Sequence, residues 1–202
     1  WKLIIGKDVT NFRMYDLPHD VPTEDFFGRE DIIAYDRFGR PIYNYKDCDS
    51  LYPSEIVVET ENSVFQVLDG LLINTITKEV VLSETDISDV IVPEGTRSIT
   101  RNAFDNRHLT SIELPNSLRE IGDYAFSDCD ELKSIVLPAS LETIGDWSFS
   151  DCTAIEEVIL PPKLQQNGDY CFNDCAIQYI NIPESVKEIG AFAFHECEQL
   201  KQ

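Results

Sequence analysis

Residues 109–129 read LTSIELPNSLREIGDYAFSDC, and this pattern recurs along much of the chain. Further copies follow at residues 132–152, 155–175 and 177–197, and another precedes it at residues 87–107. The prolines of the five copies lie 22, 23, 23 and 22 residues apart, and the last phenylalanines of the copies keep the same steps. A fixed period over several copies indicates a repeat array in which each unit stacks on its neighbours.

Each copy begins with the pattern of a short strand. In the copy quoted above, Ile112 and Leu114 alternate with Ser111 and Glu113, which is the period of a strand with one buried face. Pro115 then ends the strand, because proline cannot donate the next hydrogen bond of a ladder. The strand therefore turns one face toward a shared core and the other toward solvent.

The rest of each copy turns the chain back. Leu118 and Ile121 point inward again, and Gly122 suits a tight corner with positive φ. Phe126 supplies a large inward side chain before Cys129 closes the coil. One such coil has no core of its own, so its stability requires neighbouring coils that share a core with it.

The repeat LxxIxLPxxLxxIGxxAFxxC resembles that of the BspA-like leucine-rich repeat family, over residues 87–202. The resemblance implies a mainly β fold: a right-handed solenoid with a parallel sheet on one side and short irregular or 3-10 segments on the other. It also implies a bacterial protein that is secreted or held at the cell surface and serves in recognition or adhesion. The copies depart from the pattern at a few positions, where we expect only local packing to change: Thr100, Arg107, Ser148, Asn167 and Cys171.

The first part of the chain does not follow the repeat. We interpret residues 1–41 as an N-terminal cap or as the edge of a preceding module. The solenoid is predicted over residues 42–202, with a degenerate coil and a hairpin at residues 42–86 and regular coils at residues 87–202. A faint copy of the pattern places Cys48 at the cysteine position of the repeat.

Strands are also predicted in the degenerate part. Residues 55–58 form one, and residues 62–73 form a pair with residues 78–82. Asp69 and Gly70 resemble the hairpin turn that interrupts arrays of this family. The chain begins without a signal-peptide pattern and stops three residues into a new coil, which is typical of a window cut from a longer polypeptide.

The net charge of −21 restricts the classes of partner. Acidic residues outnumber basic ones in both halves of the chain, so no basic patch dominates either half. Nucleic acid is not expected as a partner, because phosphate binding needs clustered Lys and Arg, and anionic membrane surfaces are disfavoured for the same reason. Membrane insertion is not expected either, because no apolar stretch approaches the roughly 20 residues of a spanning helix.

Five of the six cysteines occupy one position of the repeat: Cys48, Cys129, Cys152, Cys175 and Cys197. Stacked coils place such residues about 4.8 Å apart with parallel Cα–Cβ bonds, whereas the Cβ atoms of a disulfide lie roughly 3.8 Å apart. We predict a column of reduced, inert thiols that pack as small apolar groups. Disulfides or a zinc site are the alternatives.

The chain shows neither a catalytic pair nor a cofactor motif. His195 lies two residues from Cys197, but the repeat places His195 in the outward position of Ser127 and Ser150, whereas Cys197 points inward. A nucleophile and its base must face each other. The sequence also lacks GxSxG and HExxH motifs and a glycine-rich phosphate loop. We therefore expect neither enzyme activity nor a cofactor.

Carboxylates also fall into columns. One position holds Asp123, Asp146 and Asp169, and another holds Asp128, Asp151, Asp174 and Glu196. Like charges about 5 Å apart repel each other by roughly 1 kcal/mol in water, so each column needs compensation. We predict that backbone N–H groups at the corners provide it, and bound cations are the alternative.

The candidate binding site is the outward face of the main strands, where apolar and acidic side chains vary from coil to coil. Its candidate residues are Ile91, Glu113, Val136, Glu157, Ile159, Tyr179 and Asn181. In a solenoid such a face is the usual place for a ligand. The alternative is that β-branched residues stand there only because they form strands well.

These observations predict a non-catalytic surface-recognition or adhesion module that binds a protein through this face. Glu113 and Glu157 favour a partner with basic groups. A carbohydrate-recognition module or a spacer of a larger secreted protein is the alternative. Exposed aromatic side chains in a row would favour carbohydrate, and the sequence pattern assigns that role to Tyr179 alone.

Overall fold

The chain divides into two compact units, and each has a hydrophobic core. The computed structural model describes residues 2–12, 34–35, 41–42 and 53–201. The first unit comprises Trp1–Thr77 and Val81–Thr85, and the second comprises Lys78–Val80 and Asp86–Gln202.

Every regular element in the described part of the chain is a β-strand. The first unit holds β1 (Lys2–Ile5), β2 (Ala34–Tyr35), β3 (Pro41–Ile42), β4 (Glu55–Val58), β5 (Phe65–Leu68) and β6 (Leu71–Asn74). β7 (Glu79–Ser83) contributes residues to both units. The second unit holds β8 (Asp89–Ile91), β9 (Ser98–Ile99), β10 (Ser111–Glu113), β11 (Glu120–Ile121), β12 (Thr143–Ile144), β13 (Glu157–Ile159), β14 (Gln166–Asn167), β15 (Tyr179–Asn181) and β16 (Glu188–Ile189). The described residues include no helix long and apolar enough to cross a membrane.

Small strand pairs build the first unit. β1 pairs with β4 in parallel, and β4 coincides with the strand predicted at residues 55–58. β2 pairs with β3, and β5 with β6, in antiparallel fashion. Asp69 and Gly70, with φ of 49° and 76°, form the turn between β5 and β6, which confirms the predicted hairpin turn. This turn divides the segment that was predicted to pair as a whole, residues 62–73, into two strands. The core consists of Leu3, Ile5, Val9, Phe12, Ile56, Phe65, Leu72, Val81 and Leu82.

The predicted boundary between a cap and the solenoid, at residues 41 and 42, falls near strands of which only the backbone is described. The placement of Cys48 in the cysteine column lies outside the described residues. The assignment of residues 42–86 to a degenerate coil and a hairpin of the solenoid therefore stays a prediction beyond the hairpin itself.

The second unit is a solenoid of stacked coils, whose main strands pair in parallel as predicted. β8 pairs with β10, so that Val90 lies opposite Ile112. β13 pairs with β15, so that Val158 lies opposite Ile180. An isolated parallel bridge joins Ser134 of the intervening coil to Glu157.

A second parallel ladder runs along the corner that follows each main strand. It joins the first two residues of β7 with β9, β11, β12, β14 and β16, in that order. Each corner strand is two residues long, and its second residue is buried in β9, β11, β12 and β14. The sequence pattern does not indicate this ladder, because two residues per coil are too few to show alternation.

The corner glycine serves a purpose other than the predicted one. We expected positive φ at Gly122, but the described glycines with positive φ are Gly70 and Gly95. A Cβ atom on Gly145 would instead lie 2.6 Å from the backbone nitrogen of Asp123 in the preceding coil. Glycine at this corner therefore allows successive coils to approach closely.

The inward side chains of the coils form the core of the second unit. Leu109, Leu118, Ile121 and Phe126 are fully buried, as predicted. Leu114 is only half-buried. The rings of the repeat phenylalanines stack nearly parallel on successive coils, with centroids 5.0, 5.1, 5.1 and 5.7 Å apart: Phe104, Phe126, Phe149, Phe172 and Phe194.

The predicted burial is wrong in the last coil. Ile182 and Ile189 occupy inward positions of the repeat, but they are 44% and 43% exposed. These positions become buried only when a coil stacks on both sides of them. No complete coil follows the coil that contains these residues in the described part of the chain.

Candidate functional site

The main strands present the candidate residues on one outward face, which we call the sheet face. Its apolar members are well exposed, with values of 67%, 82%, 65% and 62% for Ile91, Val136, Ile159 and Tyr179. Between them on each strand lie buried residues such as Val90 and Val158. The alternation of the sequence therefore separates the core from this face as predicted.

The strand register brings most of these residues together. Tyr179 lies opposite Glu157, and Ile159 lies opposite Asn181, in the β13–β15 pair. Because Ser134 bridges to Glu157, Val136 falls beside Ile159. The sheet face thus has an apolar centre made by three successive coils, with one carboxylate at its side.

Ile91 and Glu113 form a separate group. They lie opposite each other in the β8–β10 pair. No strand pairing connects β10 with residues 134–136 in the described structure. The repeat pattern is the same in all the coils, so it does not predict this interruption of the sheet.

Lys201 contacts Tyr179, which sequence reasoning missed. The Lys201 ammonium lies 4.8 Å from the centroid of the Tyr179 ring and 3.1 Å from its hydroxyl oxygen. It also donates to Oε1 of Gln178 at 3.3 Å. The ammonium thus lies at the hydroxyl end of the ring, and the tyrosine on the sheet face already contacts a cation of its own chain.

Asp89 adds a fixed negative charge to the sheet face. The hydroxyl groups of Ser111, Thr110 and Ser88 donate to its carboxylate at 2.6, 3.0 and 3.1 Å. These hydrogen bonds, that from Ser111 foremost, lower the pKa of the Asp89 carboxyl group. The group therefore keeps its negative charge to lower pH than it would without these hydrogen bonds.

The cysteines of the repeat column are buried and hydrogen-bonded. The thiols of Cys129, Cys152, Cys175 and Cys197 donate to a phenylalanine carbonyl oxygen of the preceding coil at 3.1 to 3.2 Å. Burial raises the pKa of the Cys129 thiol to about 12 and raises that of the other three as well. Since the thiolate is the reactive form, these thiols are poor nucleophiles.

We predict that the native protein resists thiol reagents. In a Cys48→Ser variant, which removes the cysteine outside the described residues, Cys129, Cys152 and Cys175 should label only on unfolding, because they are buried and protonated. Cys197, at 9% exposure, should react before them. Mass spectrometry after timed labelling measures the order. Rapid labelling of native Cys152 would contradict the buried column.

His195 is exposed, in agreement with the outward position predicted for it. We assigned it to an outward position shared with Ser127 and Ser150, but these serines are 5% and 0% exposed. His195 Nδ1 lies 3.1 Å from Oδ1 of Asn173, which occupies the same repeat position in the preceding coil. The Cys197 thiol is bonded to the Phe172 carbonyl instead. The pair therefore lacks the hydrogen bond that a nucleophile and base require.

Backbone groups compensate the first carboxylate column, as predicted. Oδ1 of Asp123 accepts the N–H of Asp146 at 3.0 Å, and Oδ1 of Asp146 accepts the N–H of Asp169 at 2.8 Å. Oδ1 of Asp169 accepts the N–H of Ala191 at 2.6 Å. Each aspartate thus connects its coil to the following one through a single oxygen.

The second column combines backbone strain with local hydrogen bonds. Asp128, Asp151, Asp174 and Glu196 adopt φ between 51° and 60°. Aspartate tolerates this left-handed region better than most residues. The Ser127 hydroxyl donates to Asp128 at 2.9 Å, and Ser150 donates to Asp151.

A row of stacked aromatic rings lies beside the first carboxylate column, and sequence reasoning missed it. Centroids of successive rings lie 6.1, 4.1 and 5.0 Å apart along Tyr124, Trp147, Tyr170 and Phe192. Each ring residue follows the aspartate or alanine of its coil and adopts φ between 52° and 57°. The signal was present in the sequence, since one repeat position is aromatic in four successive copies.

The stacking decides what this row can bind. Trp147 has a ring on both sides, and the Arg101 guanidinium lies 5.0 Å over the outer side of Tyr124. Sugars pack against open ring faces, but Trp147 and Tyr170 each stack between two rings, and Phe192 at the end of the row is the one ring of the four with an exposed fraction above half. The row therefore presents ring edges rather than a carbohydrate platform.

One group of described residues could share a metal ion: His108, Asp130 and Glu131, whose ligand atoms lie within 4.8 Å of one another. All three are exposed. His108 Nδ1 lies 3.2 Å from Oε1 of Glu131, so an ion pair between them already explains the arrangement when the histidine is protonated.

Comparison with known proteins identifies the repeat. Residues 74–201 match, in six copies, the family profile described as BspA type leucine rich repeat region. No curated protein shows significant similarity to the chain.

Several solved structures are similar to the chain. A leucine-rich repeat protein from Bacteroides ovatus is 31% identical over 68% of this chain and 38% of its own, with a TM-score of 0.57. A leucine-rich repeat protein of T. pallidum is 28% identical over 67% and 65%, with a TM-score of 0.59. A leucine-rich cell surface protein from Faecalibacterium prausnitzii is 22% identical over 73% and 44%, with a TM-score of 0.64, and shares the fold. The chain spans less than two thirds of the length of each of these proteins.

Proposed function

Because this chain belongs to the BspA-type leucine-rich repeat family, we propose that it is a non-catalytic recognition module that binds a protein partner through its sheet face. The observation that carries the proposal is the exposure of large apolar side chains there. Val136 is 82% exposed and lies beside Ile159 at 65%. Their burial against a partner would remove apolar surface from water, which is the main source of binding energy in protein interfaces.

The charges on the sheet face favour a partner with basic groups. Glu157 borders the apolar centre, and Asp89 and Glu113 lie on the β8–β10 pair. Carboxylates at the rim of an interface accelerate association with a basic partner and make it sensitive to salt. Lys201 over Tyr179 is an internal example of a cation held on this face.

A protein partner fits the aromatic side chains better than a carbohydrate does. Carbohydrate recognition uses rings whose faces are open to solvent. The rings of Tyr124, Trp147 and Tyr170 stack on one another, and Tyr179 is the one aromatic residue among the sheet-face candidates. We place the module at the cell surface or in a secreted protein, as the family resemblance implies.

The experiment compares capture of a partner from the native surroundings of the protein. The sheet-face variant carries Val136→Asp, Ile159→Asp and Tyr179→Ala, which change side chains that are 62% exposed or more and should leave the fold intact. We expect this variant to lose the partner. The matched control is Ile76→Asp, which adds a charge at a residue of the first unit that is 69% exposed. Equal capture by the sheet-face variant and wild type would contradict the proposal.

A further inference from the structure

The residues of the ring row have an unfavourable backbone conformation, which suggests that their side chains have a function. Tyr124, Trp147, Tyr170 and Phe192 all adopt left-handed φ, a region that disfavours bulky side chains. Asn102 occupies the same position in the first regular coil, with φ of 59°, and asparagine suits that conformation. The backbone therefore does not demand a ring at this position, and the rings are present for what their side chains do.

Carboxylates accompany the rings coil by coil. Oδ1 of each aspartate in this column accepts a hydrogen bond from a backbone N–H of the next coil: Asp123, Asp146 and Asp169. Asp123 Oδ2 lies 3.6 Å from the Arg101 guanidinium. Within the described part of the chain, neither Asp146 nor Asp169 has a Lys or Arg partner at ion-pair distance. Two exposed carboxylates beside the rings are therefore free to receive a cation.

The side chain of Arg101 shows that an aspartate carboxylate next to an aromatic ring can bind a guanidinium group. Its guanidinium lies 5.0 Å from the Tyr124 ring centroid and also reaches the Asp123 carboxylate. Guanidinium groups suit such a site, because they pair with carboxylates and pack on aromatic surface at the same time. The next two coils repeat the aspartate without an arginine of the chain itself. Stacking covers the ring faces there, so an incoming guanidinium pairs with the carboxylate while its methylene stem packs on the ring edges.

We propose that Asp123, Tyr124, Asp146, Trp147, Asp169 and Tyr170 form a second binding surface, the corner face, which takes arginine side chains of a basic polypeptide. Charge complementarity selects this occupant, since the protein carries a net charge of −21 and, among the described residues, the carboxylates of Asp146 and Asp169 have no Lys or Arg partner at ion-pair distance. The methylene stem of an incoming arginine lies across the ring edges, and its guanidinium pairs with Asp146 or Asp169. The corner face is separate from the residues of the sheet face, so the two surfaces can be tested independently.

The chain offers a local reporter for this test. Trp147 lies in the middle of the ring row, and the protein contains one other tryptophan, Trp1. In a Trp1→Phe background, the fluorescence of Trp147 reports docking at the corner face. The probe is an octapeptide of alternating Arg and Ser, added at low salt, and we expect a saturable change in emission that salt abolishes.

An isosteric variant identifies the residues that bind the probe. Asp146→Asn with Asp169→Asn removes both charges but keeps the Oδ1 acceptors for the N–H groups of Asp169 and Ala191, so the melting temperature should stay unchanged. We expect about a tenfold weaker affinity for the Arg–Ser peptide, since a paired charge is lost from each coil. The sheet-face variant should bind the peptide as wild type does.

A charge-matched control excludes general attraction to an acidic protein. Asp130→Asn with Glu131→Gln removes the same charge at exposed residues outside the corner face. We expect it to bind the peptide within about twofold of wild type, and a Lys–Ser peptide to bind more weakly than Arg–Ser. Equal weakening by the control variant, or an emission of Trp147 that does not respond to the peptide, would overturn the proposal.

Discussion

Replacement of Phe149 by alanine should lower the free energy of unfolding by about 3–5 kcal/mol, the usual cost of truncating a fully buried aromatic side chain. Phe149 is 0% exposed, and its ring stacks between those of Phe126 and Phe172 with centroids 5.1 Å away on either side. The variant would leave a cavity between two coils and break the stack in its middle. Urea denaturation followed by circular dichroism measures the loss.

Phe192→Ala is the matched control, because it makes the same chemical change on the surface. Phe192 is 58% exposed, although its ring stacks on Tyr170. We expect a loss of about 1 kcal/mol, on the scale of a single aromatic pair. A loss at Phe149 no larger than that at Phe192 would show that the coils are not stacked through the phenylalanine column.

Gly145→Ala should destabilise the solenoid by about 3 kcal/mol or more, although it adds one methyl group. The new Cβ atom would lie 2.6 Å from the backbone nitrogen of Asp123 and 2.7 Å from the carbonyl carbon of Gly122. Both contacts are with backbone atoms of the preceding coil, so a change of side-chain rotamer cannot relieve them. The coils must move apart, and the corner ladder loses hydrogen bonds.

Gly6→Ala is the control for the loss of glycine itself. A Cβ atom at Gly6 would have its nearest neighbours 3.9 and 4.0 Å away, in ordinary van der Waals contact. Its free energy of unfolding should stay within about 1 kcal/mol of wild type. If Gly145→Ala were as mild as Gly6→Ala, the close approach of the coils at the corner would be wrong.

Sequence periodicity predicts well the features that depend on the residues of a single coil. The inward positions of Leu118, Ile121 and Phe126, the main strands and the buried cysteine column all follow from the period and the residue type. These features depend on which side of the coil a residue faces. That side is written in the local pattern of apolar and polar residues.

Contacts between coils are harder to predict, because the partners lie 22 or 23 residues apart. The repeat pattern predicts positive φ at the corner glycine, yet in the structure this glycine allows close contact with the previous coil. Positive φ falls instead on Asp128, a residue type that tolerates it, and on Tyr124, where no residue-type rule would place it. The interruption of the sheet after β10 is likewise absent from the pattern.

The candidate site likewise combines features that the strand pattern predicts with contacts between coils that it does not predict. The outward direction of Val136, Ile159 and Tyr179 was predicted from alternation, and their exposure confirms it. The contact of Lys201 with Tyr179 comes from the following coil and could not be read from the strand. The ring row could have been found by comparing the copies position by position, since its aromatic residues share one column.

The central claim, that the sheet face binds a protein, is tested most directly by the affinity for the captured partner. Isothermal titration calorimetry compares wild type, the sheet-face variant and the Ile76→Asp control. Loss of a hot spot costs about 2 kcal/mol or more, so we predict that the sheet-face variant binds at least about 30-fold more weakly, while the control binds as wild type does. Equal affinities for all three proteins would contradict the claim.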